Sequence, residues 1–265
     1  PAPPTRRPTR AVIAGRLAYT RLAQTHTKYK LWQYQLIPAF ISLVISSALL
    51  VGIWFAGESL AGWVDAAVVI ETGWLDKLVT IAVEVLAFAV MLVAFFFLHK
   101  HIVIVALAPF LGRLAENIIR GTKGEKPTPA LPAIRAVQRS AIINTRSIFF
   151  ELLITIALVT PGFIFPLISP FTTTAAFLVE ACYVGYGLID FPLEYRGFTV
   201  TQSIRYTKTH RAVSAGVGTG YLLLMMVPVV GWMFAPTFGT AAGTIETLAE
   251  IKRSDPRRDP TKHLK

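Results

Sequence analysis

The chain has a single cysteine, Cys182, so it can form no disulfide within itself, and a lone thiol in an apolar run is read as a packing residue. Charge is scarce. Only 15% of its 265 residues are Asp, Glu, Lys or Arg, against about 25% in an ordinary soluble domain. Too little polar surface is available to face water. Catalytic signatures are missing as well: no HExxH, GxSxG or P-loop pattern occurs. His99 and His101 stand two apart, on different faces of a helix, which makes them a poor metal pair. The sequence therefore implies neither an enzyme nor a cofactor or metal site.

What is abundant is apolar sequence, 54% of the chain, with a mean hydropathy of +0.55. Leu31–Gly57 contains no charge at all. About 20 apolar residues of helix cross a hydrocarbon core of ~30 Å, so residues 36–57 are predicted to be a transmembrane helix. Residues 78–98 form a second, interrupted by Glu84. An apolar run and an amphipathic stretch follow, with a bend or break expected around Pro109. A Gly/Pro/Lys loop at 121–135 divides the chain, and two longer apolar blocks occupy 148–191 and 212–249. Residues 1–10 and 251–265 read as basic tails, the first disordered; 11–24 reads as a basic helix, lying on the membrane or solvated.

The excess of positive charge, +11 overall, is read as topology rather than nucleic-acid binding. Segment 1–35 holds seven Lys/Arg and no acid, segment 99–147 eight against two, segment 194–211 four against one, and segment 250–265 six against three. Segment 58–77 is the acidic one. By the positive-inside rule the basic segments and both termini are cytoplasmic. Blocks three and four must then each enter and leave on one side. Block four, Ala212–Ile245, is interrupted by VPVVGWMFAP at 227–236. Removing that turn leaves arms of roughly 22 and 14 Å. Block three is interrupted by TPGFIFPLISP at 160–170, which leaves a short first arm, Ile148–Val159. The expected fold is an all-α integral membrane protein of two long transmembrane helices and two re-entrant, half-penetrating helical hairpins. Both hairpin turns should lie against other helices or line a pathway. Gly216…Gly220 and Gly239…Gly243 carry GxxxG spacing and are predicted packing sites.

Charges inside a bilayer are costly and mark partners or function. Glu84, Glu151, Glu180, Asp190, Glu194 and Glu246 are such residues. Asp190 and Glu194 flank Pro192, and Arg196 is their nearest cation in sequence. Glu151 and Arg146, five apart, share no face, so Glu151 is expected to pair with another helix. Arg146, Arg196, Arg205, Lys208 and Arg211 flank the hairpins, where cations anchor topology or meet an anion. Thr172–Thr174 could cap the second arm of block three.

The run Tyr183-Val-Gly185-Tyr-Gly187-Leu-Ile-Asp190-Phe-Pro192-Leu-Glu194-Tyr-Arg196 is the most specific part of a wider pattern. Asn144…Glu151-Leu152, Gln202-Ser203, His210-Arg211, Val227-Pro228…Gly231…Pro236 and Ala108-Pro109-Phe110…Glu116 complete it. Over roughly 15–250 this resembles the CysZ-type sulfate permease family, whose domain is shared with etoposide-induced membrane proteins. The resemblance implies two long and two pairs of half-penetrating helices, an oligomer in the inner membrane, and sulfate uptake for cysteine synthesis. Family members often carry a Pro-Gly-Leu-Arg-Arg-Phe type segment before the first span, implicated in sulfate binding. Here that stretch reads Tyr29-Lys30-Leu31-Trp32-Gln33-Tyr34, without the glycine or the arginines, and Lys28 and Lys30 keep positive charge there. The candidate anion ligands are thus Lys28, Lys30, Arg146, Arg196, Arg205 and Arg211, and the intramembrane polar network is Glu151, Glu180, Asp190 and Glu194. The expected partners are a small anion such as sulfate, the lipid bilayer and further copies of the chain. A non-transporting membrane scaffold with the same fold is the competing reading.

The charge pattern makes a direct prediction. A membrane-impermeant thiol reagent should label Asp65→Cys in intact cells, and Gly124→Cys and Pro256→Cys only after permeabilisation. External labelling at 124 would reverse the assigned topology.

Overall fold

A computed structural model describes residues 35–67, 73–122, 127–129 and 131–254. All regular structure among them is helical. Two long helices, α1 (Leu36–Ala67) and α2 (Gly73–Ala106), run antiparallel and begin the fold. Then come the short amphipathic α3 (Ala108–Gly121), a hairpin of α4 (Ala133–Ile164) and α5 (Ser169–Glu194), and α6 (Val200–Thr209). A second hairpin of α7 (Arg211–Met225) and α8 (Val230–Ser254) closes it. α5 is the centre: it packs on α4 and α7, α7 packs on α8, and α8 also touches α3 and α1.

Four helices, within Leu36–Leu60, Lys77–Ala106, Ala133–Ile164 and Pro166–Glu194, are long and apolar enough to cross a membrane. Their burial is uneven. The outer halves of α1 and α2 are apolar yet uncovered, with Trp54, Phe55, Val85 and Leu86 exposed, as suits contact with lipid. Their other ends are different. There Ser42, Ser46, His99, Lys100 and His101 are buried, beside a core of Val103, Ile104, Leu107, Leu188 and Tyr221. α3 lays Leu114 and Ile118 against Ala241 and Ala242 of α8.

The break expected around Pro109 is present at Leu107, and Pro109 sits in the first turn of the new helix, where its missing N–H is not needed. The sequence reading needs correction at both hairpins. The first arm of the α4–α5 hairpin does not stop at Val159. It continues to Ile164 with Pro161 in its last turn, so its apolar stretch from Ile148 reaches roughly 25 Å. The α7–α8 turn is only Met226–Val229, and Pro236 lies inside α8. Neighbouring helices make an internal proline tolerable at membrane depth. The second arm from Val230 to Ile245 is therefore roughly 24 Å, while the 15-residue α7 spans roughly 22 Å.

The α4–α5 turn does not lie against other helices among the described residues, whereas the predicted 227–236 segment does so at Trp232, which packs on Phe95 of α2. Leu167 is 90% exposed, and Phe163, Phe165 and Phe171 surround it. The α4–α5 turn tolerates this because prolines 161, 166 and 170 bring no N–H, and the Phe165 and Ile168 amides bond to Pro161 and Phe165 carbonyls. Little polar backbone is left for lipid to meet. In the α7–α8 turn, Val229 takes a left-handed φ of 61°, a strained setting for a β-branched residue.

Glycine sets the closest approach of α5 and α7, but at Gly185 and Gly218 rather than in the Gly216…Gly220 frame. A Cβ on Gly218 would sit 1.8 Å from the Ala181 carbonyl oxygen, and one on Gly185 2.0 Å from that of Ser214. In α8, Gly239 and Gly243 do make room, for the Leu188 side chain and carbonyl of α5. Thr172 and Thr174 cap nothing; their hydroxyls donate back to the Ser169 and Pro170 carbonyls.

Backbone atoms cannot give way as a flexible side chain can. Gly218→Ala should therefore cost about 3 kcal/mol or more through overpacking, whereas Gly52→Ala, where a Cβ meets nothing within 4 Å, should be neutral. Thermal melting of the purified protein in detergent checks this pair.

Candidate functional site

Two charge clusters hold the inner ends of α2, α4, α5 and α6 together. In the first, Lys100 of α2 is fully buried and donates to Glu151 of α4 and, at 3.0 Å, to Glu180 of α5. His101 places Nε2 3.1 Å from the other Glu151 oxygen and Nδ1 3.0 Å from Asn144 Oδ1. Asn144 Nδ2 donates to the Ser140 carbonyl at 2.9 Å, which turns its oxygen toward the ring. Both ring nitrogens of His101 thus face oxygen atoms, and Lys100 faces two carboxylates.

In the second cluster Arg139 grips Asp190 through two bonds, Nε to Oδ2 at 2.9 Å and Nη2 to Oδ1 at 2.7 Å. Its remaining donors reach the Phe198 carbonyl at 2.8 Å and Ser203 Oγ at 3.2 Å. Glu194 lies 3.6 Å from Nε. Five donors fixed in one plane suit this fork, which locks α4, α5 and the start of α6 in register. Thr199 opens α6 with a capping box shared with Gln202, so Ser203 is delivered to Arg139 by local sequence. The sequence pointed to Arg196 for this pairing. The cation on Asp190 is Arg139, 51 residues away, because the antiparallel α4–α5 hairpin brings residues 139 and 190 level.

Between α4, α5, α6 and the start of α7 lies a cavity of about 400 Å³. Arg146, Lys208 and Arg211 line it, together with Asp190. None of these three cations has a carboxylate within ion-pair distance among the described residues. Arg146 lies over the Phe150 ring, 5.5 Å from its centroid. Asp190, the one acid in the lining, is already held by Arg139. Tyr183, Tyr186, Ser203 and Thr207 add hydroxyls. On α6, Tyr206 has its phenol pKa pushed up by burial, and Glu250 and Glu246 push the same way. Tyr195, just past α5, is pushed up to about 12, by burial first and Glu116 second.

The candidates from the sequence thus separate. Arg146 and Arg211 share the cavity. Arg205 faces outward on α6, and Arg196 sits in the turn after α5; neither lines it. Glu151 and Glu180 belong to the Lys100 cluster, and Asp190 and Glu194 to Arg139. Glu246 is buried in α8. Glu84 faces a separate groove between α1 and α2, with Glu58 and Trp54. Lys28 and Lys30 lie outside the described residues. Lys100, His101 and Arg139 were missed as network members. The His-Lys-His triplet inside a continuous apolar helix was the available signal for the first two.

Removing one partner from a buried ionic cluster leaves the rest uncompensated, at a cost of about 3–5 kcal/mol. Lys100→Met should therefore lower the melting temperature sharply. Lys100→Met combined with Glu151→Gln and Glu180→Gln should recover most of the loss. Tryptophan fluorescence melts in detergent would show both, and a triple variant no better than the single one would deny Lys100 its role.

The model of the family described as sulfate transporter CysZ/etoposide-induced protein 2.4 matches residues 19–236. Comparison with curated proteins returns no match beside it. The matched segment contains both clusters, the cavity and the first turns of α8, up to Pro236. The chain, a multi-pass membrane protein, belongs to the sulfate transporter CysZ/etoposide-induced protein 2.4 family.

Proposed function

We propose that the chain moves sulfate, or a similar small inorganic anion, across the cell's inner (plasma) membrane, with the Arg146–Lys208–Arg211 cavity as its anion site. One observation carries the reading. Three cations from separate helical elements converge on one cavity, and the acid among them is neutralised by Arg139. An anion site needs donors without competing negative charge. The family match to sulfate transporters supports the same direction. In this reading α1 and α2 span the bilayer, and the two hairpins enter and leave on the cytoplasmic side. The short arms of α7 and α8 favour that arrangement over full crossings of ~30 Å. Both termini are then cytoplasmic, and the uncovered apolar faces meet lipid or further copies of the chain. Lys28 and Lys30 precede the first span and would bring charge to the same side.

Uptake of labelled sulfate by proteoliposomes containing the purified protein tests this. A hydrogen bond to a charged group is worth about 1.5–3 kcal/mol. Arg146→Gln and Arg211→Gln should each lower uptake roughly tenfold or more, with melting temperature and gel-filtration profile unchanged. Arg205→Gln, outside the cavity, should transport normally. No uptake by the intact protein, or equal uptake by all four, would sink the proposal and favour a scaffold.

A further inference from the structure

The cavity has more room than an inorganic oxyanion fills. Four oxygens on a central atom displace about the volume of two or three waters, roughly 60–90 Å³. The space here is about 400 Å³, within the ~300–1,000 Å³ typical of sites for organic ligands.

Its lining is also divided. The antiparallel α4–α5 pair gives a depth scale: Arg139 and Asp190 meet at one end, and Gly162 and Thr172 at the hairpin tip. Arg146, Tyr186 and Asp190 lie toward the first end, joined there by Lys208 of α6 and Arg211 of α7. Phe150, Ile154, Leu178 and Val179 line the part toward the tip. Phe150, Ile154 and Leu178 are 39%, 37% and 43% exposed, so the apolar part opens onto the side of the hairpin. Both helices there are apolar enough to cross a membrane. Arg146, stacked on Phe150, marks the border between the two parts.

We infer that this cavity binds an amphiphilic anion: a sulfonate, sulfate-ester or phosphate head carrying an apolar tail. The inference rests on reading the cavity as the anion site and names what fills the rest of it. The head takes the forked donors of Arg146 and Arg211 and the ammonium of Lys208. The tail lies along Phe150, Ile154, Leu178 and Val179 and covers apolar surface that inorganic sulfate leaves bare. Two sources share this chemistry, a soluble organosulfonate and an anionic phospholipid, whose head would sit at the basic end and one chain in the apolar part.

Calorimetric titration of the full chain in nanodiscs of zwitterionic lipid tests the inference. The probes are sodium sulfate and the methane-, butane- and octanesulfonates. A buried methylene is worth about fourfold in affinity, so butanesulfonate should bind at least tenfold tighter than sulfate or methanesulfonate. Arg146→Gln and Lys208→Gln should weaken every probe, whereas Ile154→Asn should abolish the chain-length dependence and leave methanesulfonate binding intact. That contrast separates the cavity from partition into the bilayer, which no variant alters. Phosphatidylglycerol added to the nanodiscs should displace octanesulfonate if the natural source is lipid and leave it bound if the source is soluble. Either result agrees with the amphiphile site. Sulfate binding as tightly as butanesulfonate, or chain-length dependence kept in Ile154→Asn, overturns it and leaves sulfate transport standing. Sulfonate binding without sulfate uptake by proteoliposomes would instead remove the transport reading alone.

Discussion

Lys100 sits where α2 passes from lipid-facing apolar sequence into the protein core. It is fully buried, and Glu151 of α4 and Glu180 of α5 meet it directly. A lone ammonium in such a place would be prohibitively costly. The same holds in reverse for the two carboxylates. Each therefore fixes the position of the others, and three helices are held at one level. His101 and Asn144 extend the constraint along α4. Such a cluster is weak evidence of stability against an apolar substitute, but removing a single member is severe. Its effect is to specify one register for α2 against the α4–α5 hairpin.

Once that register is set, the basic cavity follows from it. Arg139, Asn144, Arg146 and Glu151 all lie on α4, but they serve different neighbours. Asn144 and Glu151 turn to α2, Arg139 to Asp190 and Ser203, and Arg146 to the cavity. Arg139 matters to the cavity without belonging to its basic end: by holding Asp190, it keeps a carboxylate in the lining from opposing an anion. At a separation of 4 Å and an effective dielectric of 20, two unit charges interact by about 4 kcal/mol. In the proposed anion site, the difference between a held and an unheld Asp190 is of the size that would decide whether an anion enters.

Close packing of α5 on α7 is the second support. Gly185 and Gly218 let the two backbones touch, which places Arg211, at the start of α7, beside Cys182; the Cys182 thiol points at the Arg211 carbonyl, 3.7 Å away. Moving α7 outward by one methyl group would carry Arg211 with it. A packing detail far from any charge thus helps to set the spacing of the cations.

The amino-acid sequence by itself determined the membrane class, because long uncharged runs have no stable place in water, and the family, because the Tyr183–Arg196 run is specific. It also marked Glu151, Glu180, Asp190 and Glu194, which the structure pairs with cations, since a carboxylate inside an apolar block stands out in one dimension. It placed the breaks only approximately, and it took the α7–α8 turn to be longer than Met226–Val229, because proline lowers helix stability without stating which residue yields. It could not name the partners. Arg139 and Asp190 are 51 residues apart, as are Lys100 and Glu151, and nothing local in either segment refers to the other. Arg196 was the natural choice for Asp190 only because it was near in sequence. Which cations converge on the cavity, and that Arg205 does not, depended on helix crossing and glycine contacts. Those are properties of the packed helices, and only the tertiary structure decided them.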